Sequence, residues 1–121
     1  MKRVVVTGIG LLTSIGSNTE DTWNNLINLK SGIKKITHFD TDELSCKIAG
    51  HISHDKNDTF YYDRSIHLDL KDIKRNDRFI QYGIVAAMMA VEDSGIQNLS
   101  EEDKLNTGVI VGSGIGGLET I

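Results

Sequence analysis

From Arg3 to Ile9 the chain reads R-V-V-V-T-G-I, β-branched and almost continuously apolar. Such a run predicts a strand covered on both faces, as in a parallel α/β sheet. Gly8, Gly10 and Gly16 then puncture the following stretch, which predicts a turn-rich connection. Asn18 can cap a helix with Asp21 in the capping-box position, and Trp23, Leu26, Ile27 and Lys30 follow at i, i+3, i+4 and i+7, a face expected to bury its apolar part and the Lys30 stem. The pattern predicts a helix over about 19–31, closed by Gly32. The stretch 33–70 is weakly patterned: 47–52 reads as a short strand and 53–65 as a polar surface excursion.

Asp77 to Ser94 is the clearest helix, with Asn76 as its cap and Gly95 as its terminator. Its middle, Tyr82 to Val91, is apolar on every side, and such a helix must be buried on every side. A second buried-type strand is predicted at Thr107 to Val111, after a polar connection at 98–104. Two such strands and one amphipathic helix are too few to wrap the Tyr82–Val91 segment. The expectation is that the chain is a portion of a larger α/β protein, marginal or self-associating alone, with no second domain.

Composition narrows the class without naming it. The 121 residues carry a net charge of −4, with 39% apolar and 25% charged residues, which is the balance of a globular protein. The mild acidity argues against a general nucleic-acid binder. No apolar run approaches the roughly 18 residues of a bilayer span, and the N-terminus lacks the marks of a signal peptide. With one cysteine, Cys46, no internal disulfide is possible, so a cytoplasmic location is expected.

Three constellations carry chemistry. Gly112, Gly114 and Gly117 fit G-x-G-x-x-G after a predicted strand, the pattern that lets a dinucleotide pyrophosphate approach a helix N-terminus. A small dinucleotide-binding protein is thus one reading; glycines that permit tight turns and close packing are the simpler one. Cys46, His51 and His54 are metal-ligand types, but no fourth ligand stands at a recognisable spacing, and His38 and His67 lie in unrelated contexts. They read as surface histidines, with no metal and no nucleophilic role for Cys46. Lys71, Lys74, Arg75 and Arg78 stand at i, i+3, i+4 and i+7, so on a helix they form one basic stripe in an acidic chain. The stripe is either a solvated face or a docking patch for an acidic partner.

Five stretches taken together resemble one family. They are Lys2 to Gly10, the region from Phe39-Asp40 to Ile48-Ala49-Gly50, Asp77 to Tyr82, Ala90 to Gly95, and Gly112 to Leu118. They occur in this order and at similar spacing in the β-ketoacyl-acyl-carrier-protein synthases of the chain-elongating type II class. Ser14, Leu70 and Asn76 depart from the residues usual in that family.

The resemblance implies a thiolase-like αβαβα fold, incomplete in this chain, in which two five-stranded sheets are sandwiched among helices, and a homodimer. It implies an enzyme of fatty acid synthesis that condenses malonyl- with acyl-carrier protein through an acyl-cysteine. No bound cofactor is needed, because phosphopantetheine arrives on the acyl carrier protein. The family's cysteine and two histidines fall in later parts of its sequence, so no catalytic residue maps here and the chain alone should be inactive. Two roles carry over: Ile115 matches the family's gate at the floor of the acyl pocket, and Lys71, Lys74 and Arg75 match its carrier-protein docking residues. A binding module that kept the docking stripe without catalysis is the alternative.

Overall fold

The computed structural model describes residues 3–117. Its contacts divide the chain into Met1–Gly10 with Ser65–Ile121, and Leu11–Arg64. Each unit is built around a few buried side chains.

In the 11–64 unit, helix α1 spans Thr19–Ile27. Asn18 caps it as expected, its side chain accepting from the Asp21 N–H at 2.8 Å. The helix stops four residues before the expected end. Asn28 is the C-cap, Leu29 takes the left-handed conformation at φ 55°, and the Lys30 N–H returns to the Asn25 carbonyl at 2.9 Å. This is a Schellman closure with leucine, not glycine, in its left-handed position. Gly32 has a different job. It is buried, and a Cβ there would fall 2.8 Å from Ile15 Cγ2.

The face of α1 that buries is also not the expected one. Trp23, Leu26 and Ile27 are exposed among the described residues, whereas Thr22 is buried. The Thr13–Gly16 turn lies over Thr22, whose hydroxyl is 3.1 Å from that of Thr13. A Cβ on Gly16 would sit 2.7 Å from the Thr22 hydroxyl oxygen, so the helix seats on that turn through its polar residue.

Strands β1 (Ile33–Lys35) and β2 (Ile48–Gly50) pair antiparallel, with Ile33 opposite Gly50 and Lys35 opposite Ile48. β2 lies inside the expected 47–52 strand; β1 escaped the sequence reading because three residues carry too little periodicity. The 53–65 stretch is not a surface excursion. Tyr62 is 2% exposed, its N–H donates to the Ser53 carbonyl at 2.8 Å, and Asp58 pairs with Lys34 of β1. That ammonium, with the Phe60 N–H, holds the Asp58 carboxyl down at about 2.

In the other unit, α2 spans Leu70–Arg75, α3 spans Arg78–Ser94 and α4 spans Glu101–Leu105. α3 ends where the sequence says, at Gly95 with φ 64°. Its cap residue is Asp77 rather than Asn76. α4 replaces the expected polar connection, and Ser100 caps it by accepting from the Asp103 N–H at 3.2 Å.

Neither expected buried strand forms a ladder among the described residues. Val4, Val6, Val109 and Ile110 are at least 79% exposed. β-Branched sequence favours extended backbone, but a strand also needs a second segment for its N–H and C=O groups. Residues 8–10 instead lie against α3. The Ile9 N–H donates to Asp93 Oδ2 at 2.8 Å, and Cβ atoms on Gly8 and Gly10 would fall 2.6 Å from Ser94 Cβ and 2.7 Å from the Ala90 nitrogen. These glycines serve close approach to a helix backbone. On α3, Val85 and Gln81 are buried, while Ile84, Met88 and Val91 are partly open at 38%, 47% and 43%.

Candidate functional site

The basic residues singled out from sequence do come together, in part. Asp69 caps α2, accepting from the Asp72 N–H at 2.7 Å, and the helix then runs for six residues. Lys71, Lys74 and Arg75 follow at i, i+3 and i+4, so they share one side of α2, and all three are exposed. Lys74 and Arg75 stand in the last turn, where cations complement the helix dipole.

Arg78 does not continue the stripe. Asn76 is extended, at φ −111° and ψ 139°, so the helix breaks before Asp77 and Arg78 opens α3. Asn and Asp compete for backbone hydrogen bonds and favour such a break. Gln81 of α3 spans it. It is 2% exposed, and its Nε2 donates to the carbonyls of Ile73 at 3.0 Å and Asn76 at 2.7 Å. Sequence reading passed over Gln81; the available signal was a polar residue four positions before Val85, which is fully buried.

Ile115 is 79% exposed. Nothing lies within 4 Å of where a Cβ on Gly112 or Gly114 would stand, whereas a Cβ on Gly116 would fall 2.5 Å from the Phe79 ring. The loop is thus open on one side of Ile115 and seated on the start of α3 on the other. Of the G-x-G-x-x-G residues, Gly117 has φ 74°, and the residues before Gly112 form no strand among the described residues.

The cysteine and histidines are dispersed in role. Cys46 is exposed, its thiol 3.3 Å from the Ile48 carbonyl and at no helix start. His51 and His54 are half-buried rather than at the surface. His54 Nδ1 lies 2.9 Å from the Tyr62 carbonyl, and the His51 and His38 rings meet at 5.3 Å with their planes tilted by 56°, so His38 is not in an unrelated place. Among the described residues no three His, Cys, Asp or Glu side chains converge as metal ligands. A polar cleft of about 280 Å³ in the 11–64 unit, bordered by Ser17, Asp21, Asn25, Thr59 and Tyr61, had no counterpart in the sequence reading.

The sequence model of the β-ketoacyl synthase N-terminal domain matches residues 1–121. The chain is 43% identical over 120 residues to 3-oxoacyl-[acyl-carrier-protein] synthase 2 of Vibrio cholerae, covering 99% of this chain and 27% of that protein. It is 42% identical over 119 residues to the synthase 2 of Staphylococcus aureus, covering 98% and 27%. Among solved structures it is similar to the ishigamide ketosynthase/chain length factor, with a TM-score of 0.59 and 32% identity over 82% of this chain and 22% of that one. The chain thus spans about a quarter of the length of these curated relatives. Its helices and small sheet are a fragment of the thiolase-like ketosynthase fold, as the resemblance implied. Matched from end to end by that domain's sequence, this chain belongs to the β-ketoacyl synthase family.

Proposed function

We propose that this sequence works as the N-terminal portion of a chain-elongating β-ketoacyl-acyl-carrier-protein synthase, and that α2 is its docking surface for the carrier protein. The observation that carries the reading is the exposed cationic side of α2, where Lys71, Lys74 and Arg75 share one face in a chain of net charge −4. The relatives are named for an acyl-carrier-protein substrate, and the family resemblance implies that this carrier presents an acidic helix to its synthase. Complementary charge at such a contact raises on-rate and selects partners more than it adds affinity.

On this reading the acyl group moves from carrier to an active-site cysteine, malonyl-carrier protein loses CO2, and the resulting carbanion attacks the acyl carbonyl. A C–C bond forms as the cysteine thiolate leaves. The nucleophile and the two assisting histidines belong to later parts of the family's sequence, and Cys46 does not stand at a helix start, where the family's nucleophile is held. The 121-residue chain alone is therefore inactive, and the complete enzyme is a cytoplasmic homodimer with phosphopantetheine supplied by the carrier. Detectable condensation by the purified 121-residue chain would contradict the first point, and a monomeric full-length protein by light scattering the second.

Ile115 is the residue assigned to gate the acyl pocket. A branched side chain between two glycines can swing between blocking and admitting a fatty chain. Ile115→Ala should alter the ratio of turnover on long and short acyl-carrier substrates; an unchanged ratio removes the gate.

The docking claim is tested by Lys71→Glu, Lys74→Glu and Arg75→Glu together in the full-length protein. Exposed ion pairs contribute about 0.2–1 kcal/mol each, and reversal adds repulsion, so carrier affinity should fall about tenfold or more at low salt. Unchanged affinity under those conditions refutes it.

A further inference from the structure

The cations of α2 can read an acidic helix only if α2 itself holds still, and six residues are too few to ensure that. Helices shorter than about 12–15 residues are marginal in water. The last carbonyls of any helix also lack intrahelical partners. In this molecule the Ile73 and Asn76 carbonyls, which bracket Lys74 and Arg75, are both taken by one side-chain amide, that of Gln81. That amide projects from α3, a helix of 17 residues, and is itself 2% exposed.

We propose that Gln81 is a positioning residue for carrier-protein recognition: its buried amide clamps the C-terminal end of the docking helix to α3 and so fixes the spacing and direction of Lys71, Lys74 and Arg75. The inference rests on α2 being the docking surface. It adds that affinity depends on a residue that carries no charge and stands outside the docking face.

Position 81 is poorly explained by core packing alone. It lies one turn before Val85, on the same side of α3, where an aliphatic side chain would bury more apolar surface. An aliphatic residue there would leave the two α2 carbonyls without these donors, in a region where Ile73 and Asn76 are both half-buried. The amide supplies two N–H groups at the right separation, which neither Asp nor Glu can do as carboxylates.

The experiment compares full-length enzyme with its Gln81→Met variant, which keeps length and removes both donors. Turnover is measured with acyl-carrier protein and, separately, with the same acyl group on free pantetheine. The expected result is a KM for the carrier substrate raised about three- to tenfold, with kcat and the kinetics of the pantetheine thioester unchanged. A general structural role would lower both substrates together, and that outcome overturns the proposal, as does an unchanged carrier KM. If the Met variant fails to fold, Gln81→Glu makes the same comparison with a polar isostere.

The two readings fail separately. A carrier KM that rises with the triple Lys/Arg reversal but not with Gln81→Met sinks the clamp and leaves the docking surface standing. A KM unmoved by the triple reversal removes the docking surface itself.

Discussion

Adding one methyl group at Gly10 should loosen the seat of the N-terminal segment. A Cβ there would lie 2.7 Å from the Ala90 nitrogen and 2.9 Å from Met89 Cβ, and it would also overlap the Ala86 carbonyl oxygen. Comfortable separations between such atoms are about 3.5–4.0 Å, so the segment must retreat by roughly 1 Å. The neighbours are mostly helix backbone and cannot escape by changing rotamer. Overpacking of this kind costs about 1–3 kcal/mol, and the unyielding partners place Gly10→Ala toward the top of that range. Retreat also stretches the 2.8 Å bond from the Ile9 N–H to Asp93, adding about 1 kcal/mol at an exposed site. The stiffer unfolded chain returns about 0.4–1 kcal/mol. The net loss is about 3 kcal/mol. For a urea slope of about 2 kcal/mol per molar, the midpoint of the helical signal in circular dichroism should drop by about 1.5 M. Gly83→Ala is the matched control. It adds the same group to the interior of α3 where nothing lies within 4 Å, and should raise stability by about 0.5–1 kcal/mol. A Gly10→Ala chain that melts at or above the parent midpoint would refute the close-approach argument.

Gly95→Ala places a Cβ at φ 64° and should destabilise the unit containing α3 by about 1 kcal/mol, read from the same urea titration. Leu29→Gly should do the reverse. Its left-handed φ of 55° and 92% exposure mean that glycine relieves strain without losing burial, for a gain of a few tenths of a kcal/mol, about 0.5 at most; a lower midpoint would count against it. The Lys34–Asp58 pair makes the 11–64 unit acid-sensitive. The Asp58 pKa is depressed from 3.8 to about 2, so its contribution is complete above pH 3.8 and is lost as pH falls through about 2. Solvent screening leaves about 1 kcal/mol of the nominal shift, and Asp58→Asn should remove that acid dependence from the unfolding curve.

What could be read from sequence was what is decided locally. α3 announces itself by composition and by Gly95, and the α1 start by Asn18 and Asp21, because a cap is an interaction over three or four residues. α4 had the same kind of signal in Ser100 and Asp103, and reading its charges as a loop overlooked it. The end of α1 was misplaced because Gly32 looks like a terminator, while the terminator is an exposed leucine. The two β-branched runs were legible as extended, but a ladder partner is never local. In the same way the spacing of Lys71, Lys74 and Arg75 was plain, whereas the break at Asn76 and the Gln81 clamp arise from two helices meeting. Ile115 could be assigned only by resemblance, since a side chain 79% exposed on a glycine loop carries no local mark of a gate.

The Ile9–Asp93 link also has a meaning for biosynthesis. Its partners are 84 positions apart, so during synthesis the segment around Ile9 has no seat until nearly the whole of α3 has followed. At about 5–20 residues per second that wait lasts roughly 4–17 s. Val4, Val5 and Val6 stay exposed even once that seat has formed, so the wait only adds an unanchored nascent segment to an apolar strip on which chaperone protection would act throughout.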